Sequence, residues 1–242
     1  MRVLITRPRE DGEAIAATLA ATGHQPLLAP VLATRWFDGP ALDLSGIAAI
    51  LATSANGVRA LSRRTARRDV PIFAVGPQTT AEAEKAGFVR IENADGDAKA
   101  LADAVPRWLQ PKAGTLLHVC GEQKPPASSE AAGQPNVALA ETLGARGYDV
   151  RREILYAVEA QSLPPEAITA LAAKAVDAAL FFSPRSARIF VEQAQGLPLE
   201  GVTALCISPA TATALHEGRF AAVRIASRPN QEALLALLQQ QL

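Results

Sequence analysis

Two short turns recur with the same spacing in the two halves of this 242-residue chain: Gly76-x-x-Thr79 and Ser208-x-x-Thr211. Each follows an apolar run, Phe73-Ala74-Val75 or Leu205-Cys206-Ile207, and opens a helical pattern. Such a turn can hold an anion. The first amides of a helix have no partner within the helix and lie at the positive end of its dipole. Four further strand ends carry residues of the same kind: Thr6 with Arg7, Ser54 with Ala55 and Asn56, Gly121 after Cys120, and Ser183 with Ser186. Small residues leave room for a carboxylate, and hydroxyls add donors. Ser, Thr and Asn are also the preferred N-caps of helices, so each position taken alone reads as a cap. The whole set, gathered at strand ends, favours ligand binding. Tyr156 is one of two tyrosines and lies in an extended stretch. It reads either as an amphipathic packing residue or as a functional hydroxyl.

Other chemistries lack their residues. There is no Ser/His/Asp signal, no Gly-x-x-x-x-Gly-Lys phosphate loop and no Gly-x-Gly-x-x-Gly after a strand. His24, His118 and His216 share no ligand-like spacing, and Cys120 and Cys206 each end an apolar run. Buried reduced thiols are expected, and a metal site would need more ligands. The formal net charge of +0 argues against a broad basic face for nucleic acid. Hydrophobic residues at 49% and charged residues at 20% fit a globular chain, and no run approaches the roughly 20 apolar residues of a membrane span. The first residues enter a strand pattern rather than a leader. A cytoplasmic protein off the membrane is expected.

These turns need a frame that brings strand ends together. Short apolar runs alternate with helical periodicity along the chain, which predicts parallel sheets wound on both faces by helices. Ligands in such sheets sit beyond the carboxyl ends of the strands. Three matched pairs mark an internal repeat: 50–61 with 180–190, 73–83 with 205–215, and 88–91 with 222–225. A repeat of this length points to two similar domains rather than a solenoid. A fourth pair is out of order. Val3-Leu-Ile-Thr-Arg-Pro with its following helix opens the chain, whereas its counterpart Leu116-Leu-His-Val-Cys-Gly closes the middle segment. The expected architecture is therefore α/β, with two similar doubly wound, flavodoxin-like domains. A middle domain of 37–153 is inserted into a discontinuous outer domain of 1–33 plus 157–242. Crossings at 33–37 and 154–158 are expected to form a two-stranded hinge beside a ligand cleft. Residues 122–136, rich in Pro, Ser, Ala and Gly, read as a surface loop.

The motifs Val3-Leu-Ile-Thr-Arg-Pro, Thr53-Ser-Ala-Asn-Gly-Val, Val75-Gly-Pro-Gln-Thr-Thr-Ala, Leu155-Tyr156, Phe181-Phe-Ser-Pro-Arg-Ser and Ile207-Ser-Pro-Ala-Thr-Ala, in this order, resemble uroporphyrinogen-III synthase. The resemblance covers essentially the whole chain. It implies a cofactor-free monomer that closes the linear tetrapyrrole hydroxymethylbilane with ring D inverted, through a spiro intermediate. Such a reaction asks mainly for a flexible octacarboxylate to be held in one folded shape, which fits the missing catalytic set. By resemblance Tyr156 is the proton donor to the departing hydroxyl, and strand-end amides and hydroxyls of both domains bind the acetate and propionate groups. The chain departs from the family pattern at Ser208, where glycine is usual, at Cys120, where a basic residue is common, and in the long 122–136 segment. The alternative is a non-catalytic two-domain paralogue that clamps an acidic small molecule. A response-regulator-like scaffold would need acidic strand ends, and here they are Thr, Ser, Gly and Cys.

Overall fold

The computed structural model describes residues 1–122 and 135–239; the side chains of residues 135–137 are not described. The 122–136 loop expectation thus falls almost wholly outside the described residues. By its contacts the chain divides into one unit of Met1–Ala33 with Glu159–Leu242 and a second of Thr34–Val158.

The chain opens with β1 (Arg2–Ile5), α1 (Arg9–Ala21) and β2 (Gln25–Leu28). The middle segment runs β3 (Leu32–Trp36), β4 (Ile47–Ala52), α2 (Ala55–Arg64), β5 (Ile72–Ala74), α3 (Pro77–Lys85), β6 (Ile91–Asn93) and α4 (Ala98–Trp108). It continues with β7 (Thr115–Gly121), α5 (Pro135–Ala145) and β8 (Val150–Ala160). The return comprises α6 (Pro165–Ala172), β9 (Ala178–Phe181), α7 (Pro184–Gln193), β10 (Thr203–Cys206), α8 (Pro209–Thr213), β11 (Ala222–Ile225) and α9 (Gln231–Gln239).

In the first unit the strand order is β11-β10-β9-β1-β2, with every pair parallel. The second sheet runs β3-β8-β7-β4-β5-β6, and its pairs from β8 to β6 are parallel. Setting β3 aside, the two orders are the same flavodoxin-like arrangement. The β7-α5-β8 portion of the second sheet occupies the place that β1-α1-β2 holds in the first. The out-of-order repeat is therefore a circular permutation of one topology. The registers fix the correspondence: Val3 pairs Ala178 on β9, and Leu116 pairs Ala49 on β4. Counting along those strands aligns Ser183 with Ser54, Ile5 with His118, and Arg7 with Cys120.

Central strands of a doubly wound sheet are covered on both faces, so they read as unbroken apolar runs. Val3, Leu4 and Ile5 are fully buried, as are Ile50, Leu51 and Ala52. The first unit's core gathers Val3, Ile5, Ile15, Leu180, Leu205 and Leu234. The second unit has a layer on each face, one around Ile50, Val58, Leu61 and Tyr156 and one around Leu51, Phe73, Leu101 and Leu143.

One local repair holds α4 in place. Pro106 lies inside α4 and has no N–H, so the carbonyl of Ala102 loses its helical donor. Arg146 supplies one: its Nη1 donates to Ala102 C=O at 2.6 Å, and its Nη2 pairs with Asp103 at 2.7 Å.

Candidate functional site

A flavodoxin-like sheet reverses its strand order beside the first strand, and the carboxyl ends there form its natural binding crevice. In the second unit that point lies between β7 and β4. Tyr156 reaches it through an irregularity. On β7 and β8, Cys120 pairs Ile154, but the next residue, Gly121, pairs Tyr156. Leu155 is thus an extra residue in β8, a bulge that re-aims the side chains following it. Leu155 and Tyr156, neighbours in sequence, accordingly join the same core cluster, where successive residues of a regular strand would point to opposite faces. Gly121 makes room for the ring, since a Cβ there would lie 2.7 Å from the phenol carbons.

The Tyr156 hydroxyl lies 2.8 Å from Ser54 Oγ. Ser54 is the N-cap of α2 and accepts the Gly57 N–H at 3.1 Å. Trp36 on β3 packs a tilted ring 6.1 Å from that of Tyr156. Burial pushes the phenol above its ordinary pKa, and the Ser54 hydrogen bond works against that rise. Tyr156 therefore carries its proton at neutral pH.

Beside this pair, Asn56 Nδ2 donates to Thr34 Oγ1 at 3.3 Å, and Asn56 Oδ1 accepts from Arg59 at 3.0 Å. Arg59 pairs with Glu82 of α3 at 2.8 Å, which ties α2 to α3. Gly76 is the N-cap of α3 and gives it no side-chain cap, while Thr79 in the first turn is buried. On β7, His118 is fully buried with Nε2 3.4 Å from Thr53 Oγ1. Its Nδ1 has no partner among the described residues. Burial, helped by the positive charge of Arg152, lowers its pKa to about 4, so the ring is neutral. The Cys120 and Cys206 thiols are free and buried, and burial raises both.

The first unit uses its candidates differently. Thr6 is fully buried and its hydroxyl donates to Leu180 C=O at 2.7 Å, fastening β1 to β9. Arg7 pairs with Asp11 at 2.8 Å and lies over the Phe182 ring. Ser183 caps α7 by accepting the Ser186 N–H, and the two hydroxyls lie 3.0 Å apart. Ser208 caps α8 by accepting the Thr211 N–H at 3.3 Å, with its hydroxyl 3.0 Å from that of Thr211. Of the sequence candidates, the structure brings Ser54, Gly121 and Tyr156 together. It joins Asn56 to Thr34 and Arg59, and leaves the hydroxyls of Thr6, Ser183, Ser186, Ser208 and Thr211 bonded within their own unit. Sequence reasoning missed Trp36, Thr34, Arg59 and Glu82. Trp36 is one of two tryptophans and could have been noticed for that. The Arg59–Glu82 pair joins two helices and has no spacing signal.

A family model described as uroporphyrinogen-III synthase HemD matches residues 13–236. The solved structure of uroporphyrinogen-III synthetase from Helicobacter pylori 26695 is similar in fold. Its TM-score is 0.65 at 19% identity, with 100% of both chains covered. A mutant uroporphyrinogen III synthase from the extremely thermophilic bacterium Thermus thermophilus gives a TM-score of 0.47 at 23% identity, covering 100% of this chain and 97% of that one. No curated protein matches at a significant level.

Proposed function

This chain belongs to the uroporphyrinogen-III synthase family, and we propose that Tyr156 is the group that protonates the departing hydroxyl of its substrate. The reaction is a lyase step of tetrapyrrole biosynthesis: hydroxymethylbilane loses water and closes with ring D inverted. The observation that supports the Tyr156 reading is its placement. A protonated phenol, held by Ser54 and made possible by Gly121, sits at the strand-order reversal of the second unit. Positioned proton transfer contributes typically ~10²–10⁴-fold. A hydroxyl this labile needs less help than that, so Tyr156 assists rather than decides.

Carboxylate binding is assigned in the second unit to the first turns of α2 and α3, at Ser54 to Asn56 and Gly76 to Thr79; in the first unit the turn of α7, Ser183 to Ser186, offers the same kind of amides. There the helix-end amides face outward from the sheet ends, as general helix geometry requires. Arg7 adds a cation near the Phe182 turn. Thr6, Ser208 and Thr211 support their turns through the hydrogen bonds described above. Gly76 suits direct approach of a ligand, because no side chain caps its helix. A cytoplasmic monomer acting on this small molecule alone, without nucleic acid or membrane, completes the proposal. In support, the charge is balanced, and no helix among the described residues is long and apolar enough to cross a membrane.

The test supplies hydroxymethylbilane and resolves isomers I and III by chromatography. The wild-type protein is expected to yield isomer III, and Tyr156→Phe to yield it more slowly. Isomer I alone, formed at the spontaneous rate, would remove the synthase reading. Light scattering on the purified protein checks the monomer.

A further inference from the structure

The Ser54–Tyr156 contact has a direction, and the direction decides where the phenol proton points. We propose that Ser54 is a positioning residue that donates its hydroxyl proton to the Tyr156 oxygen, leaving the Tyr156 proton free for the substrate. The inference rests on the acid role assigned to Tyr156 above. Ser54 Oγ has two polar partners among the described residues, the Gly57 amide at 3.1 Å and the Tyr156 hydroxyl at 2.8 Å. The amide is a donor only. It occupies one lone pair of Oγ, so among the described residues the serine proton has one acceptor in reach, the phenol oxygen. Accepting from an amide at the positive end of α2 also polarises the Ser54 O–H and makes it a better donor.

The equivalent cap in the first unit shows what frees Ser54 for this task. Ser54 and Ser183 have nearly the same backbone, with φ −162 and ψ 156 against φ −159 and ψ 153. Both accept the amide three residues on. In the first unit that third residue is Ser186, whose hydroxyl engages Ser183 at 3.0 Å. In the second unit it is Gly57, which has no side chain to offer; a Cβ there would crowd Val119 C=O at 3.0 Å. Ser54 therefore turns outward to Tyr156.

The chemistry balances without a further reagent. The Tyr156 proton passes to the hydroxymethyl oxygen, the C–O bond breaks with its electron pair leaving on water, and the phenolate keeps the O–H pair. The Ser54 proton then hydrogen-bonds that phenolate. Ring closure releases a pyrrole proton, which restores the phenol. Around the ring, β7 carries Cys120, kept neutral by burial, and the neutral His118, and Arg63 of α2 lies over Trp36.

Three variants test this. Ser54→Thr keeps cap and donor, and isomer III formation is expected within about threefold of wild type. Ser54→Ala loses the donor and is expected to fall several-fold. Ser54→Asp still caps α2 but, ionised, can only accept, so the Tyr156 O–H turns to donate to it. Its rate is expected to fall at least as far as that of Tyr156→Phe, with the melting temperature retained. The chain has two tyrosines, so ¹³Cζ-tyrosine labelling gives two resonances. The Tyr148 resonance, whose hydroxyl donates to Leu109 C=O, serves as the internal control. The Tyr156 resonance is expected to titrate at higher pH in Ser54→Ala than in wild type. An unchanged Tyr156 titration, or wild-type activity in Ser54→Asp, overturns the positioning role while the acid role stands. Wild-type activity in Tyr156→Phe removes both.

Discussion

The two units share one topology and one strand-end vocabulary, yet they use their hydroxyls in opposite ways. In the first, Thr6, Ser183, Ser186, Ser208 and Thr211 bond to their own turns or to the neighbouring strand. In the second, Ser54 reaches across to Tyr156, Asn56 reaches to Thr34, and the α3 turn opens on an uncapped glycine. The registers make the comparison positional: Ser54 stands where Ser183 does, Gly57 where Ser186 does, and His118 where Ile5 does. The lesson is that a repeat can copy a scaffold without copying the hydrogen bonds at its strand ends. A few substitutions, serine to glycine among them, release groups that the other copy keeps engaged.

The largest expected effect comes from undoing the His118–Ile5 difference. A neutral buried histidine resists protonation in the folded protein, whereas the unfolded chain takes up the proton near pH 6.5. Between pH 6.5 and about 4 the unfolded state binds more protons, so stability rises with pH across that window and is lost on acidification. At about 1.4 kcal/mol per pH unit the loss amounts to about 3 kcal/mol. His118→Ile installs the first unit's residue, and its chemical denaturation midpoint is expected to be flatter than wild type from pH 7 to 4. Parallel curves would show that His118 is not the source.

Next come the elements the first unit lacks. Tyr156→Phe is expected to slow isomer III formation by up to about a hundredfold without abolishing it. Gly121→Ala, which drives a methyl into the phenol ring, is expected to match it, and overpacking also costs stability by about 1–3 kcal/mol. Full activity in Gly121→Ala would mean the ring position is not critical.

The paired threonines separate the units more finely. Thr79→Val is expected to raise KM about tenfold, since a hydrogen bond to a charged group is worth roughly 1.5–3 kcal/mol. Thr211→Val loses its contact with Ser208 and is expected to lower the melting temperature with a smaller change in KM. Equal KM values for the two variants would make the turns equivalent after all. The smallest effect is expected from Gly57→Ser, which offers Ser54 the partner that Ser183 has. Because any Cβ there crowds Val119 C=O, Gly57→Ala is the control: a few-fold loss in Gly57→Ser beyond that of Gly57→Ala fits the comparison, and equal rates break it.

Most of the scaffold is legible in the amino-acid order alone. Unbroken apolar runs such as Val3–Ile5 and 49–52 specify strands covered on both faces, because only such strands are apolar on both sides. The displaced copy at Leu116 discloses the permuted order, since chain order constrains how similar units are assembled. Small and hydroxylic strand ends mark where a site belongs, because helix ends in any parallel sheet leave amides open. The sequence could not tell which hydroxyls remain available. Ser54 and Ser183 look alike in one dimension, and their different partners depend on a bulge at Leu155, on the room at Gly121 and on the absence of a side chain at Gly57. The Ser54–Tyr156 contact joins residues 102 apart in the chain. Hydrogen bonds at that separation are fixed by how the sheet closes, so only the tertiary structure decided which serine meets the tyrosine.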